Sequence, residues 1–273
     1  MSLGTLLGFL SGIALILVSI VLSTSNFILF LNIPSVLIVF GGTIASAYIS
    51  YQSVYVNKAL KQILDIYKVA KTDRNILIDE LNNSLKWADI VHKEGPVGLD
   101  NYFKNEEPDD RLLSFGIDLI LRQYEPEEIR ELMTNTINSE FQRSKVQSGI
   151  LNNMGGNAPA FGMVGTLIGL VVMLDDLGPH PEEIGSALAV ALLTTLYGVL
   201  VARLIFQPAA KKVLQAGGIE RFRNMLMMEI FVMISESRSA NYIRDRIRSF
   251  LAPDMLNRIV SPPTGRRPKE EGA

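Results

Sequence analysis

Thr166, Thr194 and Thr195 place hydroxyl groups inside two long apolar stretches, NAPAFGMVGTLIGLVVML and SALAVALLTTLYGVLVARLIFQP. Hydroxyls in such surroundings have two uses. Their oxygens can replace water around a hard cation on an ion path. They can equally bond a carbonyl four residues back and act as glue between helices. The neighbouring residues fit both uses. Gly162, Thr166, Gly169 and Met173 share a helical face, and Gly165 with Gly169 forms a GxxxG. Ala187, Ala191, Thr195, Gly198 and Ala202 share another face, with Thr194 beside it. Stripes of small residues let helices approach closely. Pro159 and Pro208 bracket the pair, and each removes one backbone donor. Each is therefore either a hinge or a helix end, a start at Pro159 and a stop at Pro208.

The elements that hold these residues follow from charge. The first charged residue is Lys58, and from Val146 to Ala202 the only charges are Asp175, Asp176, Glu182 and Glu183. Crossing a bilayer takes about 20 apolar residues. Spans are expected at Leu3 to Ser23, Phe30 to Tyr51, Asn153 to Leu174 and Ile184 to Phe206. The 26 basic residues fall in two blocks, 13 from Lys58 to Lys145 and 13 from Arg203 to Lys269. Basic residues stay on the cytoplasmic side. Both short connections, Thr24-Ser25-Asn26 and Asp175 to Glu183, lack Lys and Arg and should face outward. Both termini and the long loop are then cytoplasmic. The first apolar run has no basic residue before it and is too long for a cleaved signal, so it reads as a retained helix.

The expected fold is an all-α polytopic membrane protein with four transmembrane helices and a helical cytoplasmic domain. Residues 1–51 hold helices one and two, 52–150 a cytoplasmic helical loop, and 151–208 helices three and four. Residues 209–260 form cytoplasmic C-terminal helices, and 261–273 a disordered tail. Within the loop, a helix is expected from Ile76 to His92, ending near Gly95-Pro96. A second starts at Pro126 with Glu127 and Glu128 in its first turn and runs into span three.

Several functions are excluded. A net charge of -2 does not fit a nucleic-acid surface. There is no phosphate loop, nucleophile elbow or metal-ligand cluster, so no catalytic residue, metal or cofactor is expected. The cysteine count is zero, and His180 is one of only two histidines. Asp175, Asp176, Glu182 and Glu183 either concentrate cations at a pore mouth or form a solvated loop. Coupled ion movement normally needs a carboxylate in the membrane. None lies between Met1 and Asn57 or within spans three and four, so the chain is an incomplete ion path alone. Arg203 should snorkel to the cytoplasmic interface.

GNAPAFGMVGTLIGLVVML (156–174), GSALAVALLTTLYGVLVARLIFQP (185–208) and LNIPSVLIVFGGTIAS (31–46) together resemble the MotA/PomA family of flagellar stator subunits. The likeness is greatest to its PomA-like, sodium-type branch. The resemblance implies a bacterial inner-membrane, multi-pass subunit that assembles as a homopentamer around a MotB/PomB-like partner. That partner supplies one span with an essential Asp and a peptidoglycan-binding domain. Ion flow then drives torque on the rotor protein FliG. By position, Thr166, Thr194 and Thr195 match the ion-pathway threonines of sodium-type stators, and Pro159 and Pro208 the two prolines of the conformational change. The transported cation is then Na+, with H+ as the alternative. Gly162, Gly165, Gly169, Ala191 and Gly198 are the expected packing positions.

Rotor contacts match less closely. In SLKWADIVHKEGPVGLDNYF the family pattern expects Arg then Lys and a later acid, whereas this chain offers His92, Lys93 and Asp100. These residues either touch the rotor or are a solvated helix end. The related ExbB/TolQ class usually places one span before its large loop, and here two precede it.

Overall fold

The computed structural model describes residues 3–65, 74–103, 110–176 and 184–250. Among the described residues every regular element is helical. The order is α1 (Leu3–Ser23), a 3-10 turn (Phe27–Phe30), α2 (Ile33–Val36), a π turn (Leu37–Gly41), α3 (Gly42–Ser50) and α4 (Ser53–Asp65). Then come α5 (Arg74–Phe103), α6 (Arg111–Leu121), α7 (Pro126–Asp176), α8 (Ile184–Val201), a second π turn (Ala202–Phe206), α9 (Gln207–Ser235) and α10 (Ala240–Arg248). Three helical stretches are long and apolar enough to cross a membrane, within Phe27–Ser50, Pro126–Asp175 and Ile184–Ser235. The apolar run of α1, Leu7–Ser23, is shorter. The acidic connection with His180, Glu182 and Glu183, and the tail from 251, lie outside the described residues.

The chain forms two compact units. The first comprises residues 1–70 and 142–217, the second 71–141 and 218–273. The stretches 52–65, 142–150 and 209–217 thus group with the apolar helices rather than with the rest of the charged sequence. The reason is packing. Val56 and Ala59 of α4, Ile150 of α7 and Ala209 of α9 are buried in one cluster with Ala47 and Phe206.

In the second unit Trp87 is the centrepiece. Its ring meets Phe103 edge-on at 5.2 Å and stacks on Phe231 at 6.2 Å. Phe231 lies so close over Gly116 that a Cβ there would come within 2.5 Å of the ring. α5 breaks at Gly95, whose φ of 70° is a conformation glycine adopts without strain, and Pro96 restarts the helix. The break falls where the sequence predicts one, but a further helical segment continues to Phe103. α6 and α9 both end through a left-handed residue, Gln123 and Ser237 at φ 55°. In each case the next amide reaches back five residues, from Tyr124 to Leu119 and from Arg238 to Met233.

Three elements of this unit meet at Arg223, whose guanidinium is buried. It donates to Glu80 through Nε and Nη2 at 2.8 and 2.6 Å, and to Asp110 through Nη1 at 2.6 Å. Asp110 also caps α6, accepting from the amides of Leu112 and Leu113. Burial opposes the charge on Arg223, but the hydrogen bonds and charges of Glu80 and Asp110 outweigh it and raise its pKa. Removing one partner of a buried pair strands the other. Arg223→Ala is expected to destabilise the unit by about 3 kcal/mol. Asp110→Asn keeps a capping oxygen and should cost less, and Asp110→Ala should fall between them. Thermal unfolding of the detergent-solubilised variants checks the order.

Candidate functional site

The first unit brings the three threonines together but gives them unequal surroundings. Thr194 is fully buried, and its hydroxyl sits 2.9 Å from the carbonyls of Val190 and Ala191 in its own helix. Thr166 and Thr195 approach each other across the two helices, Oγ1 to Oγ1 at 2.5 Å. Thr166 Oγ1 also lies 3.1 Å from the carbonyls of Gly162 and Ala191. A hydroxyl has one proton. If Thr166 donates it to either carbonyl, Thr195 must donate to Thr166. The oxygen of Thr195, exposed at the edge of α8, then keeps its acceptor sites free. The three residues thus divide into an exposed acceptor at Thr195, its anchor at Thr166 and a back-bonded packing residue at Thr194. The helical spacing puts Thr195 on the packing face with Thr194 beside it. The structure reverses this and buries Thr194.

Close approach of α7 and α8 creates the pair. A Cβ on Gly169 would stand 2.7 Å from Ala191 N and 2.8 Å from Ala187 O. One on Gly162 would stand 2.9 Å from Thr194 O, and one on Gly198 2.7 Å from Ala158 O. Gly165 is covered by the Thr194 side chain, whose Oγ1 would be 2.8 Å from an added Cβ. These glycines present Cα–H groups to carbonyls of the opposing helix, a weak but recurring contact.

Pro159 and Pro208 are not helix ends. α7 continues through Pro159, and the helical run Ile184–Ser235 continues through Pro208. A proline inside a helix removes an i to i-4 bond and crowds the previous turn. Directly before Pro208 the chain widens into the π turn Ala202–Phe206, with the amide of Gln207 donating to Ala202 O. Such a widened turn is one identifiable cause of a kink. A matching π turn at Leu37–Gly41 follows Pro34 and ends at the double glycine, where the Phe161 ring lies directly over Gly42.

Other polar contacts in this unit carry no signal strong enough to be read from sequence. Tyr197 of α8 donates to the Phe30 carbonyl and accepts from the Asn32 amide, so its hydroxyl satisfies backbone between the 3-10 turn and α2. Asn32 caps α2 through Ser35 N at 2.9 Å. Asn157 Nδ2 donates to Ser46 Oγ at 2.8 Å and Asn153 Oδ1 at 3.0 Å, tying α7 to α3. An Asn one residue before Ile-Pro and a Tyr amid leucines are the available clues. Arg203 is exposed and donates to Gln207 Oε1 at 2.9 Å.

The rotor-contact candidates lie in the second unit, on both sides of the Gly95 break. His92 and Lys93 are exposed before it, and Asp100 is half-buried beyond it. His92 Nδ1 donates to the Ser237 carbonyl at 3.0 Å. Where the family pattern expects an Arg, this chain has a ring tethered to the turn after α9. Among the described residues no three His, Cys, Asp or Glu side chains gather as a metal site.

The glycine contacts are directly testable. In Gly169→Ala the new methyl meets backbone that cannot rotate away, so the α7–α8 pair should lose about 1–3 kcal/mol. Gly156 has open space, and Gly156→Ala should be neutral or stabilise by about 0.5–1 kcal/mol. Melting temperatures of the two purified variants against the parent decide this.

Residues 104–223 match the model of the MotA/TolQ/ExbB proton channel family. The chemotaxis protein PomA of Vibrio alginolyticus is 30% identical over 255 residues, covering 92% of this chain and 96% of PomA. The structure of the C. jejuni MotAB superposes with a TM-score of 0.82 at 23% identity, covering 93% of this chain and 97% of that one. The flagellar MotAB stator complex from Bacillus subtilis gives 0.81 at 23% identity, covering 94% and 100%. With near-complete coverage of PomA and the same all-helical fold, the chain belongs to the MotA/TolQ/ExbB proton channel family, a family of channel subunits and not of enzymes.

Proposed function

We propose that this chain is a flagellar motor stator subunit. With a MotB/PomB-like single-span partner it forms an inner-membrane channel that converts Na+ flow into torque on the rotor. The relative named PomA and the solved MotAB assemblies support the stator role. The observation that carries the ion assignment is the Thr166–Thr195 pair. It leaves an exposed hydroxyl oxygen on α8 while residues 146–174 of α7 and the whole of α8 supply no carboxylate. A hard cation takes several oxygen ligands and favours charged ones. One threonine edge can contribute only part of such a shell, so the Asp and the remaining oxygens come from the partner. A proton needs a carboxylate and a water wire, and gains nothing from an open acceptor at Thr195.

In this reading five copies surround two partners, with both termini cytoplasmic. Pro159, and Pro208 with the π turn just before it, let α7 and α9 flex as the ion passes. Lys93 and Asp100 face FliG, while His92 is held to the Ser237 carbonyl and acts by positioning the turn rather than as a mobile cation.

Swimming speed against external Na+ at fixed proton-motive force tests the assignment. Speed is expected to rise with Na+ and saturate. Thr195→Val keeps the shape but removes the oxygen, and should shift or abolish the Na+ dependence. Thr194→Val should leave it nearly intact, because that hydroxyl only back-bonds to its own helix. Motility that ignores Na+ and collapses with the proton gradient would establish the proton-driven alternative. Loss of function in Thr194→Val but not Thr195→Val would defeat the division of roles.

A further inference from the structure

The first unit carries a strongly basic surface that the ion path does not use. It holds eight lysines and arginines, all within 58–68, 143–145 and 203–212. Of its five acids only Asp65 falls in those stretches. Of the other four, Asp175 and Asp176 end α7, and Glu182 and Glu183 lie outside the described residues. Thirty residues separate Lys145 from Asp175, about 45 Å of helix at 1.5 Å per residue. The acids that end α7 are therefore too far along the helix to neutralise the basic stretches.

Lys58 and Lys61 sit three residues apart on the outer side of α4, whose other side buries Val56 and Ala59. Lys211 is exposed and Lys212 half-buried at the start of α9. Among the described residues none of these four has a carboxylate partner. Two contacts gather the elements at one level. Gln62 of α4 donates to Gln147 of α7 at 2.8 Å, and Ser148 of α7 donates to the Ala210 carbonyl of α9 at 2.8 Å. The lysines begin where the apolar helices end. Lys58 is eight residues past the last residue of α3, and Lys211 five past the π turn at Phe206. At 1.5 Å per helical residue Lys211 is about 8 Å and Lys58 about 12 Å past the end of its apolar helix, on the scale of a Debye length in physiological salt.

Two observations select the partner. Tyr48 and Tyr55 are exposed on either side of the junction between α3 and α4, where aromatic side chains mark a membrane–water boundary. Val54 is 58% and Leu64 69% exposed on the same side of α4 as the two lysines. A water-facing helix loses by exposing them. A helix at the boundary of headgroups and acyl chains gains from both the lysines and the apolar side chains.

We propose that Lys58, Lys61, Lys211 and Lys212 form a collar that binds the phosphate headgroups of anionic phospholipids in the adjacent leaflet. Basic clusters just beyond membrane helices attract acidic lipid by about 1 kcal/mol per side chain. The collar seats α4 and the start of α9 on the bilayer, while the Thr166–Thr195 edge is left for the partner. This assignment rests on the apolar helices spanning a bilayer, as in the proposed function, and is independent of which ion flows or what the rotor contacts are.

The test reconstitutes the full chain in lipid nanodiscs of phosphatidylcholine containing a minority of phosphatidylglycerol. Retained lipid is read by native mass spectrometry. The parent should enrich phosphatidylglycerol, and the enrichment should fall with added salt. The quadruple Lys→Gln variant at 58, 61, 211 and 212 should weaken it by about ten-fold or more. The quadruple Lys→Arg variant should keep it. Enrichment that survives the glutamines, that arginines fail to restore, or that millimolar inorganic phosphate displaces overturns the proposal. Insertion without enrichment overturns it alone, whereas failure to enter bilayers of any composition overturns the membrane reading as well.

Discussion

Backbone-to-backbone approach of α7 and α8 is the constraint on which the first unit depends. Gly162, Gly169 and Gly198 stand against opposing main chain with room for no side chain. Hydrophobic exclusion gives little drive to associate helices where the surroundings are as apolar as leucine, so shape and short-range contact must do it. That closeness has a chemical result. Two threonines on facing helices can meet at 2.5 Å only when the axes are this near. One added methyl at residue 169 would widen the gap and undo the pair without touching either hydroxyl. Packing and site are in this sense one feature.

Once the helices are so close, the two neighbouring threonines on α8 cannot be equivalent. Thr194 falls over Gly165 and fills the notch, so its hydroxyl has only its own helix to bond. Thr195 is turned to the edge and keeps its acceptor capacity. Adjacent positions on a helix differ by about 100°, enough to send one residue into the interface and the other to its rim. The TT dipeptide serves both purposes at once.

The small-residue faces, the long helix from Pro126 and the break at Gly95-Pro96 are legible in the sequence because each has a local cause. Period, cap chemistry and charge deserts are visible in one stretch of residues. Other features are not local. Residues 194 and 195 lie on opposite sides of the stripe through Ala191, within a turn of it, so spacing alone does not choose which is buried. The π turns at Leu37–Gly41 and Ala202–Phe206 add a residue to a turn without any compositional mark, and each rotates the face that follows. Arg223 bonds Glu80 and Asp110 across 143 and 113 residues, a union that only the folded second unit reveals. Pro159 and Pro208 are ambiguous for the same reason. Whether a helix survives a proline depends on neighbours that hold it, and both helices are held.

A polar acceptor left without a partner in an apolar environment costs about 1–3 kcal/mol. The chain goes to some length to avoid that elsewhere in this unit. Tyr197 satisfies the backbone at Phe30 and Asn32, Asn157 is bonded to Ser46 and Asn153, and Thr194 turns back on its own helix. Thr195 instead bonds the Thr166 hydroxyl at the exposed rim, beside exposed leucine and valine at 192 and 199. A rim of apolar side chains around one open oxygen is poorly suited to lipid and poorly suited to water. It is well suited to a second helix that brings charge of its own. The absence of any carboxylate from α8 and from residues 146–174 of α7 points the same way. An acid inside this unit would close the acceptor's valence and leave nothing for a partner to complete, whereas an acid on a separate span can engage and release it as the ion passes.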